Sequence, residues 1–133
     1  LETGQLVRSL NNHTRPIHAL AVLQRSTGLP MLASVSDDRT VRIWQPTIGR
    51  MMRFARLAST PLDVDWMPDG GRLVVASTDG HVRLIDPATS EVSNQWAAID
   101  GWAYCLAVHP RGQSVVVGGH RGQLQRVKVS GNH

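Results

Sequence analysis

Three residues in the first third of the chain have the types that form hydrolase triads: His13, Ser34 and Asp38. A nucleophilic serine needs an exposed hydroxyl beside an oxyanion hole, commonly on a strained Gly-x-Ser-x-Gly turn. Ser34 instead lies inside a short apolar run, residues 31–35, whose composition is typical of a strand. The local sequence therefore favours a structural role for these three residues over a catalytic one.

Other residue types that often carry chemistry are dispersed along the chain. The sequence contains no glycine-rich phosphate loop, no Cys or His metal cluster and no pair of positioned acids. The single cysteine, Cys105, lies in an apolar run and is expected to be a buried free thiol. Six histidines lie on different segments and are expected to be surface or network residues: His13, His18, His81, His109, His120 and His133. The sequence thus predicts a protein without enzyme activity, metal or cofactor.

The amino-acid composition indicates which class of protein the chain belongs to. The chain has 133 residues, 41% of them apolar, which is enough for one folded domain. Fourteen basic and ten acidic residues give a net charge of +4, but the arginines are scattered, so nucleic-acid binding is disfavoured. No apolar run approaches the roughly 18 residues that span a bilayer, so no membrane association is expected.

A phrase of eleven residues recurs along the chain and organises it. SDDRTVRIWQP occupies residues 36–46, STDGHVRLIDP occupies 77–87, and a weaker copy, GHRGQLQRVKV, occupies 119–129. The aligned turn residues Asp38, Asp79 and Arg121 are separated by 41 and 42 residues. A period of about 40 to 45 residues is typical of propellers in which each repeat contributes one four-stranded sheet, or blade.

Each repeat contains the same succession of short segments rich in Val, Leu and Ile and bounded by Pro, Gly or Asp, which indicates strands. A more polar outer strand, suited to one face in water, accompanies each set of three. The predicted first strands are 17–23, 62–67 and 104–108; the second 31–35, 73–77 and 114–118; the third 40–44, 81–85 and 123–127; and the outer 5–10, 50–57 and 91–96. The predicted fold class is all-β.

Over essentially its whole length the sequence resembles the WD40 family. The resemblance rests on the period, the turns at 68–70 (Pro-Asp-Gly) and 79–80 (Asp-Gly), and the strand at 41–44 (Val-Arg-Ile-Trp) taken together. It implies a β-propeller of three four-stranded antiparallel blades. We interpret residues 1–133 as a single partial propeller with approximate blades at 5–44, 50–85 and 91–129.

The resemblance also implies a buried network that locks a blade through a histidine, a serine, an aspartate and a tryptophan. The first repeat matches at every position: His13, Ser34, Asp38 and Trp44. The second repeat keeps Asp79 but has Val75 and Ile85 at two of the other places, and the third has Val117, Arg121 and Val127. We therefore expect the second and third blades to rely on packing instead of this network.

Three blades cannot close a ring, because propellers have about four to eight blades and each packs against two neighbours. In one arrangement two copies join head to tail, each lending its strand 5–10 to the last blade of the other, to give a closed ring of six blades with a twofold axis. In the other, the chain is a piece of a longer propeller completed by further repeats or by a complementary half. The chain lacks an initial methionine, which favours a fragment in origin but does not decide its assembly.

The leading functional hypothesis is a non-catalytic protein–protein interaction scaffold with a protein or peptide ligand. The alternative is a docking platform inside a larger multidomain enzyme or sensor. The resemblance implies that partners meet the face carrying the loops before the first strands and the turns before the third strands, which would present Arg15, Arg39, Trp102, Tyr104, His120 and Arg121. Trp102 and Tyr104 have two interpretations: interface anchors, or side chains that pack between blades.

Overall fold

A computed structural model describes residues 9, 12–24, 28–47, 49–69 and 71–129. Within these ranges the chain forms eleven strands and no helix. Their bounds are β1 Ile17–Leu23, β2 Met31–Ser36, β3 Thr40–Gln45, β4 Arg50–Arg56, β5 Pro61–Trp66, β6 Leu73–Ser77, β7 His81–Asp86, β8 Glu91–Ala97, β9 Ala103–Val108, β10 Ser114–Gly119 and β11 Leu124–Lys128. Across the same residues no helix is long and apolar enough to cross a membrane.

The strands form three antiparallel sheets, each a meander of consecutive strands. The first sheet has the order β1-β2-β3-β4, the second β5-β6-β7-β8, and the third β9-β10-β11. The all-β class is confirmed, and each of the eleven strands begins and ends within one residue of its predicted bounds. The outer strand predicted at 5–10 lies outside the described residues except for Ser9, which is exposed. The sheets do not close a ring, so the chain is a partial propeller.

The first and second sheets each end with the strand that opens the next sequence repeat. The fourth strand of the first sheet, β4, precedes the second copy of the repeated phrase, and β8 does the same for the third copy. Sheets and repeats are therefore offset by one strand, and the outer strand of each of these two sheets leads into the first strand of the next sheet.

The repeated phrase forms the turn into the third strand of each sheet. Backbone φ is positive at the matching residues, 67° at Arg39, 79° at Gly80 and 86° at Gly122. A side chain at Gly80 would be blocked, because its Cβ would lie 2.0 Å from the backbone oxygen of Ile99. The Gly80 carbonyl accepts hydrogen bonds from the N–H groups of Ala98 and Ile99, at 2.9 and 3.1 Å. The turn is thus tied to the segment leading to the next sheet, and glycine is required there.

Two apolar layers separate the sheets. The layer between the first and second sheets is centred on Ile43, Trp66 and Leu73, and the layer between the second and third on Val74, Leu84 and Val115. Every residue of β6 is buried, because the second sheet is covered on both faces. This strand reads as a continuous apolar run for the same reason.

Polar contacts also join neighbouring sheets. Trp66 Nε1 donates to the Ala21 carbonyl, 3.1 Å away in the first sheet. The Asp63 carboxylate accepts the N–H of Val64 in its own strand and the N–H of Leu106 in the third sheet, both at 2.9 Å. Burial raises the pKa of Asp63 and the charge of Asp65 adds to this, although those two hydrogen bonds oppose the shift. Asp63 therefore connects the inner strands of the second and third sheets.

The outward faces of the first and third sheets have apolar side chains without a neighbouring sheet. Leu20 in β1 is 60% exposed and Leu124 in β11 is 75% exposed. Cys105 lies in β9 beside Gly118 on the outward face of the third sheet and is exposed. The prediction that Cys105 is a buried thiol is therefore wrong, because the apolar run that contains it faces no further sheet.

Candidate functional site: the blade network and the turn face

The structure brings the four residues of the expected blade network into hydrogen-bond contact at the open face of the first sheet. His13 Nδ1 lies 2.9 Å from Asp38 Oδ2, and His13 Nε2 lies 2.6 Å from Ser34 Oγ. Trp44 Nε1 donates to the same Ser34 oxygen at 2.9 Å. One assignment satisfies every group: His13 donates to Asp38, Ser34 donates to His13, and Trp44 donates to Ser34.

Two further residues that sequence reasoning missed take part in this network. The Thr40 hydroxyl donates to Asp38 Oδ1 at 2.5 Å and lies 3.2 Å from His13 Nδ1. Arg42 Nε donates to Thr40 Oγ1 at 3.2 Å, while the guanidinium carbon lies 4.8 Å from the centre of the Phe54 ring. The sequence signal that could have indicated them is the alternation of the polar residues Thr40 and Arg42 with apolar residues in the third strand.

Asp38 is the acceptor at the centre of the network. Burial by itself would raise the pKa of this carboxyl, but hydrogen bonds from Thr40, His13 and the Thr14 N–H outweigh that effect. Together with the Thr40 N–H they hold the pKa of Asp38 well below its ordinary value. The carboxylate is therefore ionised and fully engaged at neutral pH.

The arrangement of serine, histidine and aspartate resembles a catalytic triad in connectivity but differs in access. Ser34 is buried within β2, and its hydroxyl oxygen already accepts the Trp44 indole N–H. A nucleophile needs an approach path for the substrate carbonyl and nearby oxyanion donors. In this geometry the tryptophan covers the attacking oxygen, so the group is suited to hold strands together.

In the second sheet the turn aspartate, Asp79, has a different partner. Asp79 Oδ2 accepts Arg83 Nη2 at 2.6 Å and Asp79 Oδ1 accepts Arg83 Nη1 at 3.2 Å, which is a bidentate ion pair. Arg83 is buried, and its Nε donates to Gln95 Oε1 in the outer strand at 3.0 Å. Burial would raise the pKa of Asp79, but hydrogen bonds from Arg83 and His81 and their charges lower it. The expectation that this blade relies on packing instead of a polar network is therefore incomplete.

In the third sheet a glutamine replaces the turn aspartate as the polar connector. Gln123 Oε1 accepts the N–H of Arg121 at 2.9 Å, and Gln123 Nε2 donates to the Asp100 carbonyl at 3.2 Å. The turn is thus closed by a neutral amide, and Arg121 itself is exposed.

Five of the six residues expected on a partner-binding face lie on loops and turns at one end of the sheets, and Tyr104 is the second residue of β9 at the same end; we call this end the turn face. It comprises the loops before β1, β5 and β9 and the turns before β3, β7 and β11. Arg15, Arg39 and Arg121 are exposed there, and Arg39 Nη1 donates to the Ala58 carbonyl at 3.4 Å. The described cation–π contact involves none of them, since it joins Arg42 and Phe54.

Three of the six residues form an aromatic cluster. The ring centres of Trp102 and Tyr104 are 5.6 Å apart, and His120 lies 6.4 and 6.5 Å from them. The Trp102 N–H donates to His120 Nδ1 at 3.2 Å, and the His120 N–H donates to the Trp102 carbonyl at 3.2 Å. Trp102 and Tyr104 are 47% and 46% exposed, so neither is enclosed between two sheets.

Metal chemistry finds no support in the described part of the chain. Among those residues no three His, Cys, Asp or Glu side chains are grouped so that they could hold a metal ion.

Comparison with known proteins identifies the repeat. A family model described as WD domain, G-beta repeat matches residues 4–45 and 58–86. WD repeat-containing protein AAC3 of Dictyostelium discoideum is 37% identical over 59 residues, covering 44% of this chain and 12% of that protein. A Periodic tryptophan protein 2 homolog of Mus musculus is 32% identical over 102 residues, covering 76% of this chain and 10% of that protein.

Coronin-7 of Mus musculus is similar as well, with 33% identity over 87 residues that cover 65% of this chain and 9% of that protein. The chain spans about a tenth of the length of these curated relatives. The similarity therefore concerns one repeat array within longer proteins.

Proposed function

Since the chain belongs to the WD40 repeat family, we propose that it is a non-catalytic protein-interaction scaffold that closes into a six-bladed propeller with a second copy of itself. Its turn face then presents the aromatic cluster and the arginines described above to a protein or peptide ligand. The three sheets are the three blades of each half.

The observation that carries ring closure is the chemistry of the two outward sheet faces. On the first sheet Leu20, Val22 and Phe54 are exposed, and on the third Val116 and Leu124. Inside the structure, the corresponding faces of neighbouring sheets are covered by continuous apolar layers. Large exposed apolar patches rimmed by polar groups mark association surfaces. A head-to-tail pair would place the third sheet of one copy against the first sheet of the other and bury both.

The absence of catalysis in this proposal is supported by the burial of Ser34 and by its bond to Trp44. Binding by the turn face is supported by its exposed aromatic and arginine side chains, which are enriched among residues that anchor interfaces. The relatives whose names mention WD repeats and periodic tryptophans are compatible with repeat-based scaffolds.

The molar mass in solution tests ring closure. Light scattering behind a sizing column should give about twice the 14.6 kDa of one chain. Val22→Lys would place a charge in the proposed junction and should shift the mass to that of one chain. Val92→Lys is the matched control, since Val92 is an exposed valine on the outer strand β8. A wild-type mass of one chain, or equal behaviour of the two variants, would contradict self-association.

A second candidate function is favoured by the length of the relatives, which are about ten times longer than the matched region. In this alternative the chain is part of a larger multidomain enzyme or sensor, and blades of that larger protein cover the outward faces. The propeller is then a docking platform for other domains. A stable, folded species with the mass of one chain that binds a longer repeat-containing protein would support this alternative.

A further inference from the structure

We propose that a depression on the turn face binds the cationic side chain of a lysine or arginine from a protein partner. This inference rests on the proposed function, because it names the chemistry of the ligand that the scaffold would hold. The depression has a volume of about 460 Å³ and lies between the turns of the first two sheets and the loop before β9. The residues that matter for recognition are Asp37, Asp79, Thr60, Thr78 and Trp102.

The lining contains two carboxylates, those of Asp37 and Asp79, and the imidazole of His18. Asp79 is already engaged by Arg83, but Asp37 is 45% exposed. Among the residues that the structure describes, the Asp37 carboxylate has one hydrogen-bond partner, His18 Nε2 at 3.3 Å. A carboxylate accepts about four hydrogen bonds, so Asp37, which lines the depression, can accept further ones from a ligand. No arginine or lysine is found among the described lining residues.

Trp102 adds an aromatic surface to the same lining. Trp102 is about half exposed, and its backbone is held by reciprocal hydrogen bonds with His120. Tyr104 and His120 contact the indole and restrict its orientation. Cations bind the faces of aromatic rings, tryptophan best, at distances within about 6 Å of the ring centre. The half-exposed indole is therefore a surface on which a cation could stack.

The carboxylates and the indole together discriminate between anionic, apolar and cationic ligands. An anionic group, including a nucleic-acid phosphate, would face Asp37 and Asp79 and be repelled. A purely apolar side chain would contact Trp102 and Leu62 but leave Asp37 without a new partner. A ligand with an apolar stem and a positive head matches both the carboxylates and the indole, as lysine and arginine do. The arginines of the turn face lie outside the depression and do not compete for it.

Nuclear magnetic resonance titration tests this directly on the whole chain. The probes are N-acetyl-lysine N-methylamide and N-acetyl-arginine N-methylamide, with N-acetyl-norleucine N-methylamide as the neutral counterpart. We expect both cationic compounds to produce saturable shifts of the Thr60 and Thr78 amide signals, while norleucine gives none that saturate. A stronger response to the arginine probe would identify a guanidinium as the preferred head group, and a stronger response to lysine an ammonium.

Single substitutions separate the contributions of Asp37 and Trp102 to binding of the cationic probes. Asp37→Asn and Trp102→Leu should each weaken the cationic probes by about 2- to 5-fold, as expected for one exposed ion pair or cation–π contact. Glu91→Gln is the matched control, because Glu91 is an exposed carboxylate on the distant outer strand β8; it should leave binding unchanged. Equal shifts with norleucine, or unchanged binding in Asp37→Asn, would overturn the proposal.

The molar mass of the same samples keeps this test independent of ring closure. The depression lies within a single chain, so it is present in one copy or in two. No cation binding together with a doubled mass would overturn this inference alone. Saturable cation binding with the mass of one chain would overturn ring closure alone.

Discussion

The first and second sheets carry the same turn aspartate but satisfy it with different partners. Asp38 is surrounded by His13, Thr40 and backbone N–H groups, and Arg42 stays 3.9 Å from it. Asp79 is instead bound by both terminal nitrogens of Arg83, which occupies the place that Arg42 has in the first sheet. In the second sheet, where Val75 stands at the place of Ser34, Arg83 forms an ion pair with Asp79. A buried acceptor must be paired, and the fold admits more than one donor.

The largest loss of stability is expected when Trp44, the tryptophan of the first network, is replaced. Trp44→Ala removes a buried ring and the donor to Ser34, and should lower the free energy of unfolding by about 3 to 5 kcal/mol. Ile85 is the matched residue of the second sheet and makes no side-chain hydrogen bond, so Ile85→Ala should cost less, about 2 to 4 kcal/mol. Urea unfolding measures both. Equal costs, or an unchanged melting temperature for Trp44→Ala, would show that the network adds nothing.

The ion pair of the second sheet should give the next largest effect. Asp79→Ala leaves the buried Arg83 guanidinium without its carboxylate. Breaking a fully buried pair costs about 3 to 5 kcal/mol, and because Asp79 is 31% exposed we expect less, about 2 to 3 kcal/mol. Glu91→Ala, at an exposed outer-strand carboxylate, should change the free energy by less than about 0.5 kcal/mol. Thermal unfolding that cannot distinguish the two variants would contradict the structural role of the pair.

The pH dependence of stability compares carboxyls of opposite shift. The pKa of Asp38 is lower in the folded than in the unfolded chain, so its contribution is present above the ordinary value of 3.8 and is lost as pH falls further. The pKa of Asp63 is raised, so its contribution is present below 3.8 and is lost as pH rises through the folded value. Each group can change the free energy of unfolding by at most about 1.4 kcal/mol per pH unit.

Urea unfolding over a pH series measures this effect. Asp38→Asn should flatten the loss of stability below about pH 4, while Asp79, whose pKa is also lowered, keeps part of it. An unchanged slope in Asp38→Asn would mean that this carboxyl is not held in its ionised form by the network.

The smallest expected difference concerns a pair of buried serines at the same place of the repeated phrase. Ser36 Oγ lies 2.9 Å from the Pro16 carbonyl and accepts the Asp38 N–H at 3.1 Å. The buried hydroxyl of Ser77 has no hydrogen-bond partner among the described residues. Ser36→Ala should cost about 1 kcal/mol, and Ser77→Ala should be close to neutral. Chemical denaturation of both variants checks this, and a larger loss in Ser77→Ala would contradict the assignment.

Strand positions followed from the sequence because they depend on local properties. Alternating apolar residues and the turns at Asp38, Gly80 and Gly122 determine where each strand begins and ends, and all eleven described strands agree. The candidate site was accessible in part. The four network residues followed from the family resemblance, whereas Thr40 and Arg42 were missed, although Arg42 recurs as Arg83 in the second copy of the phrase. The role of the turn face in partner binding stays a prediction.

What the sequence determined by itself was the set of blades and the residues available to lock them. Only the tertiary structure decided which donor meets each carboxylate, because Arg83 reaches both its own turn and Gln95 in the adjacent strand. The same holds for Asp63, whose partner Leu106 lies 43 residues away, and for Cys105, whose exposure depends on whether a sheet covers the third one. Strand formation is governed by neighbours in sequence, whereas burial and pairing are governed by neighbours in space.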